Sequence, residues 1–289
     1  MSTGQQLYLT GVTLALALAV PAGAVLYFRH VRVPRPPVGT FNGRDIVFMM
    51  GFVLALPFVY LALPGAALPA VLALVFAGGL TVGYQPVVGR TPLRWALILA
   101  LLGTDLAGHQ LLGSDSPVYW LANSAIVGLI VVSATNLNVQ GGMRLRHIAW
   151  FVLALAVYDL TFATVFPLTQ ELADAIQGYP FAPSAGLRIG GYSAVLGMGD
   201  LLAYALYSTA SYKAYGRSGL RLAIVLVAVF GAILPTLAPP VVDALTGHRP
   251  ALIPAQVLFG PAAYAGYLAL RRRGPERRML ELTALPALA

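Results

Sequence analysis

The sequence predicts an all-α polytopic membrane protein with nine transmembrane helices. Three observations lead there: the composition, the number of long apolar runs, and the placement of lysine and arginine. Of the 289 residues, 58% are apolar and 10% are charged. Soluble domains carry about 25% charged residues, so this chain cannot cover a water-facing surface with polar groups.

Nine runs reach the length of about 20 apolar residues that a bilayer crossing needs. They are 7–28, 46–64, 67–86, 94–112, 118–137, 148–167, 188–211, 221–240 and 251–270. The runs are continuous and rich in Leu and Ala, which predicts helices; a membrane barrel would show short alternating segments. Sixteen of the 18 basic residues follow spans 1, 3, 5, 7 and 9, and the opposite side holds Arg188 and Arg249. That bias predicts the N-terminus outside and the C-terminus in the cytoplasm of a cell membrane. The opening "MSTGQQ" has no basic residue and the charges come later, in "RHVRVPR". Span 1 therefore reads as an uncleaved first crossing.

Other classes are disfavoured. The net charge of +8 is spread between apolar runs, which suits lipid head groups and topology, not nucleic acid. There is no cysteine to serve as a thiol nucleophile. His30, His109, His147 and His248 are scattered and show no metal spacing. No cofactor and no nucleotide loop is expected.

The acidic residues carry the functional signal. Asp45, Asp115, Glu171, Asp174, Asp243, Glu276 and Glu281 fall in loops, at span ends or in the tail and read as solvated charges. Asp105, Asp159 and Asp200 lie inside expected spans, where a carboxyl is costly and marks function by default. Asp159 and Asp200 each lie 11–12 residues from the cytoplasmic end of consecutive antiparallel spans 6 and 7. At helical rise that places both about 16–18 Å deep, near mid-bilayer. Asp105 is nearer the outer face, with His109 one turn on, as a local hydrogen bond or small relay.

Two carboxyls facing each other in a low-dielectric site cannot both ionise cheaply; one retains its proton. That pair suits aspartic proteolysis. The ionised member activates water, and the protonated member donates to the scissile carbonyl. Gly197 and Gly199, before Asp200, remove side chains where another backbone must approach. They can equally form a small-residue helix-packing face. A helical substrate would have to unwind and be held extended, by pairing with backbone near the site.

"AVYDL" in span 6 and "GMGD" in span 7 of a nine-span chain resemble the presenilin and signal peptide peptidase family of intramembrane aspartyl proteases. That family carries Tyr-Asp, then Gly-x-Gly-Asp, then Pro-Ala-Leu opening the ninth span. Tyr158-Asp159 and Gly197-Met198-Gly199-Asp200 match the first two. "IPAQVLFGP" keeps Pro254 and Ala255, with Gln256 where the family has leucine, and Pro261 is similar to the signal peptide peptidase version. Pro286-Ala287-Leu288 follows a basic cluster and is read as coincidental. The resemblance implies a dyad of Asp159 and Asp200. It also implies substrate positioning by Tyr158, Gly197, Met198, Gly199, Pro254, Ala255 and Gln256, and transmembrane peptides as substrates. The expected orientation is that of signal peptide peptidase, so substrates running N-inside to C-outside are favoured.

The expected organisation is spans 1–6 in residues 1–167, a connecting segment and possible gate in 168–187, spans 7–9 in 188–270, and a basic cytoplasmic tail in 271–289. Leu168, Leu172 and Ile176 are spaced for a short interfacial helix, with a plain loop as the alternative. Pro57 and Pro235 are placed to kink helices, and Asn123 and Asn136 to bond neighbouring helices. The competing functions are a prepilin-peptidase-like protease, which also uses Gly-x-Gly-Asp, and a proton-coupled transporter with midplane carboxyls.

Overall fold

Long runs of Leu, Ala and Val with polar backbone satisfied internally form helices, and helices dominate this chain. The computed structural model describes residues 3–33, 41, 43–65, 67–164, 171, 178–189, 192–239 and 254–277. In chain order the elements are α1 (Thr3–His30), α2 (Gly43–Ala62), α3 (Leu68–Tyr84), α4 (Thr91–Leu112), α5 (Pro117–Gln140) and α6 (Leu145–Thr164). A two-stranded antiparallel sheet follows, β1 (Ser184–Ile189) and β2 (Tyr192–Gly197). Then come α7 (Met198–Leu226), a π-helical stretch (Val227–Ile233) and α8 (Ala255–Arg271).

Six helical runs among the described residues are long and apolar enough to cross a membrane, not nine. The shortfall has two causes. Helices α3 and α8 have 17 residues each, about 25 Å, just under the usual crossing length. The expected spans 7 and 8 lie in one helical run, Met198–Pro239. That run is not straight. Gly216, at φ 68 and ψ −146, breaks it. Tyr204 and Gly231, 27 residues apart, share a 2.8 Å hydrogen bond, whereas a straight helix would hold them about 40 Å apart. The chain therefore doubles back at Gly216, whose positive φ suits a residue without Cβ.

The helical architecture carries one short interruption, the two-stranded hairpin. Expected span 7 was to begin at residue 188, yet residues up to Gly197 are strand and α7 begins at Met198. The register pairs Ile189 with Tyr192. The interfacial helix expected from Leu168, Leu172 and Ile176 lies outside the described residues, as do Asp174, Asp243, His248, Glu281 and Pro286-Ala287-Leu288. Residues 178–187 of the expected gate hold the start of β1 instead of a loop.

Helix α5 is the hub. It packs against α1, α3, α4, α7 and β1. Helix α7 joins this group to a second one, in which α6 lies along α8. Close approach of α6 and α8 depends on Gly260, where a Cβ would sit 2.5 Å from the Val152 carbonyl oxygen. The core between the groups is aromatic: Tyr204 and Tyr207 both pack edge-on against Phe259, and all three are fully buried. Asn136 bonds the Ala24 carbonyl of α1, as expected of a helix-linking amide. Asn123 does something else: its Nδ2 donates to the carbonyls of Ala182 and Ser184, on β1 and the residues leading into it. Ser124 adds bonds to both backbone groups of Gly186.

Candidate functional site

Asp159 projects from α6 and Asp200 from the first turn of α7. Both helices run to the arginine-rich end of the molecule, α6 from Leu145 and α7 down to Gly216. Asp159 stands about 21 Å from that end of α6, and Asp200 about 24 Å above the Gly216 break. By helical rise the two heights differ by about 3 Å, and both exceed the expected 16–18 Å. Asp200 is not in mid-helix, because α7 starts two residues before it. It occupies a helix N-terminus, where backbone N–H groups lack intrahelical partners and the dipole is positive.

The helices α6 and α7 are in contact, and Asp200 lies within electrostatic range of the Asp159 carboxyl. Gln256, second residue of α8, donates from Nε2 to Asp200 Oδ1 across 2.9 Å. Gln256 is 3% exposed, and its Oε1 is buried with no hydrogen-bond partner among the described residues. Pro254 caps α8 with extended backbone (φ −61, ψ 131), and Ala255 is buried beside Gln256. The segment that opens α8 thus reaches Asp200 directly, by a hydrogen bond that a leucine at position 256 could not make.

The other expected residues sort by environment. Tyr158 is half-buried, its ring 4.6 Å from Phe162 and within electrostatic reach of Asp159. Met198 packs against the core. A Cβ on Gly197 would contact Asp200 Oδ2 at 3.4 Å, while nothing lies within 4 Å of the Gly199 position. Among the described residues, none approaches the Gly199 position within 4 Å.

One residue was missed in sequence. Tyr204, one turn after Asp200, is fully buried, and both Asp159 and Asp200 act on its hydroxyl. Its O–H donates to the Gly231 carbonyl, tying the dyad's floor to the π-helical stretch. The i, i+4 spacing from Asp200 was the available signal.

No protein-family model matches the chain, and no curated protein matches it.

Asp105 and His109 do not form the expected pair. Asp105 is fully buried and its Oδ1 accepts from the Phe181 backbone N–H at 2.8 Å. His109 instead packs edge-on against Tyr119, and neither of its ring nitrogens has a hydrogen-bond partner among the described residues. Phe181 has a positive φ of 61, so Asp105 holds a strained turn just before β1. Glu276 also departs from expectation. Its side chain is 8% exposed, and it lies 3.8 Å from Arg144.

The two edges of the hairpin differ, and α1 packs against β2, with the Tyr8 and Tyr192 ring centroids 5.8 Å apart. Asn123 and Ser124 bond the outer edge of β1, as described above. The outer edge of β2 has no backbone hydrogen-bond partner among the described residues. Strand β2 ends at Gly197, three residues before Asp200.

Proposed function

We propose that the chain is an intramembrane aspartyl protease of the presenilin and signal peptide peptidase type. It would cleave peptide bonds within transmembrane segments. The observation that carries the reading is the placement of Asp159 and Asp200 on touching helices within electrostatic range of each other, with Gln256 bonded to Asp200.

In this reading the dyad holds one proton. The Gln256 amide N–H can only donate, so Asp200 accepts at Oδ1 and serves as the base that takes a proton from water. Asp159 carries the shared proton and donates to the scissile carbonyl oxygen as charge develops there. The tetrahedral intermediate collapses when the leaving nitrogen is protonated from the dyad.

The outer edge of β2, without a backbone partner among the described residues, supports the substrate's path. A transmembrane helix shields its own peptide bonds, so it must unwind and find new backbone partners. A strand added to β2 would be held extended by main-chain hydrogen bonds and led toward Asp200 past Gly199.

The topology in this reading is nine crossings, with α3 and α8 as short spans and Met198–Pro239 as two antiparallel ones. The N-terminus is outside and residues 271–289 are cytoplasmic, following the arginine bias.

The test uses purified protein and a synthetic transmembrane peptide in detergent or liposomes. Wild type should cleave it, Asp159→Ala and Asp200→Ala should not, and a tetrahedral-intermediate mimic should block cleavage. Substantial cleavage by either variant rejects the dyad. Proton-coupled uptake without proteolysis would replace this reading with the transporter.

A further inference from the structure

At the arginine-rich end, three stretches distant in sequence converge: the α5–α6 turn, the Gly216 break in α7, and the end of α8. Between them lies a cavity of about 400 Å³. Arg144, Arg146 and Arg271 line it, and Glu276 is the one carboxylate on its wall among the described residues. Glu276 is already engaged. Its Oε1 accepts from the Arg146 backbone N–H at 3.1 Å, and Oε2 lies 3.8 Å from Arg144 Nε. Lys213, just behind, is buried with Nζ bonded to the carbonyls of Val139 and Met143. The guanidiniums of Arg146 and Arg271 have no carboxylate partner among the described residues. Arg146 Nε donates to His147 Nε2 at 3.1 Å, a neutral partner, and three cations facing one anion around this half-open space repel one another unless a further anion enters.

A second observation identifies the kind of anion. The cavity wall continues into Trp150 and Tyr264, whose ring centroids are 4.8 Å apart. Trp150 is 56% exposed. Exposed Trp and Tyr beside arginines at the end of membrane-crossing helices mark the head-group level of a bilayer. Basic pockets between helices at that level accept anionic lipid head groups.

We propose that this cavity is a binding site for a phosphate-bearing anion, supplied by an anionic phospholipid. The phosphate sits between Arg146 and Arg271, and an acyl chain runs out along Trp150 and Tyr264. The site is separate from the dyad and does not depend on the proposed protease activity.

The test is native mass spectrometry of the full chain in detergent, titrated with phosphatidylglycerol, phosphatidylcholine or inorganic phosphate. Wild type should retain phosphatidylglycerol and not phosphatidylcholine. Arg146→Gln with Arg271→Gln should weaken retention about thirtyfold, and Arg271→Gln alone about fivefold, while a melting curve confirms that each variant folds. Arg217→Gln with Arg221→Gln, the same charge change elsewhere on that end, should leave retention unchanged. Equal loss in both double variants would reduce the effect to general surface charge and overturn the site. Equal retention of both lipids would overturn it as well. Inorganic phosphate displacing phosphatidylglycerol at equal concentration would reject the lipid as the source.

Discussion

The side-chain amide of Gln256 donates from Nε2 to Oδ1 of Asp200 at 2.9 Å and ties the start of α8 to the first turn of α7. A hydrogen bond to a charged partner contributes about 1.5–3 kcal/mol. In the proposed protease, Gln256→Leu keeps the bulk, restores the family's Pro-Ala-Leu and removes the donor. We expect kcat to fall about tenfold to hundredfold with KM little changed, measured on a synthetic transmembrane peptide. An unaltered kcat would show that Asp200 is held by its own helix alone.

A dyad that works with one shared proton fails when both groups are ionised and when both are protonated. The cleavage rate should therefore trace a bell against pH, scanned from about pH 4 to about pH 9. A rate that rises monotonically across that range would contradict a one-proton dyad.

Gly260 lets α8 lie against α6, one turn beyond Gln256. The Cβ of Gly260→Ala would meet the Val152 carbonyl oxygen at 2.5 Å and the Ala156 Cβ at 2.7 Å. Both are on a helix and cannot yield cheaply, so the variant should lose about 1–3 kcal/mol of stability. Its melting temperature should drop, and cleavage should fall with it as Gln256 moves from Asp200. A melting temperature equal to wild type would show that the two helices separate freely.

Asn123 holds the backbone before and at the start of β1 through the carbonyls of Ala182 and Ser184. Asn123→Ala leaves both without that donor, at a cost of about 1–3 kcal/mol. If substrate adds to the outer edge of β2, loosening its partner strand should raise KM more than it lowers kcat. A kcat defect at constant KM would instead place the hairpin's role in the chemical step.

Tyr204→Phe removes the hydroxyl that bonds Gly231 and keeps the ring against Phe259. The lost bond should cost about 1 kcal/mol, more if the Gly231 carbonyl finds no other partner, read as a lower melting temperature in detergent. No change would mean that the two arms of Met198–Pro239 are joined by apolar packing alone.

Much of this was legible from residue order. Apolar runs and the arginine bias announced a helical membrane chain, and each expected span finds a helix, if sometimes a short or merged one. The hairpin was missed because "GLRIGGYSAVL" is as apolar as a helix, and lipid-type composition overrode its strand signals. Those signals were present: a Gly-Gly pair flanked by β-formers. The Asp105–His109 pairing failed for a different reason. Spacing of one turn permits contact, but a strained backbone N–H at Phe181 is the stronger claim on a buried carboxyl.

By itself the sequence determined the membrane class and the helical character. These follow from composition, a local property of the chain. Only the tertiary structure decided that Gln256 reaches Asp200, that α7 starts next to the aspartate, and that the outer edge of β2 has no backbone partner among the described residues. Those depend on how each helix is rotated and which distant segment it meets, and no local periodicity encodes either.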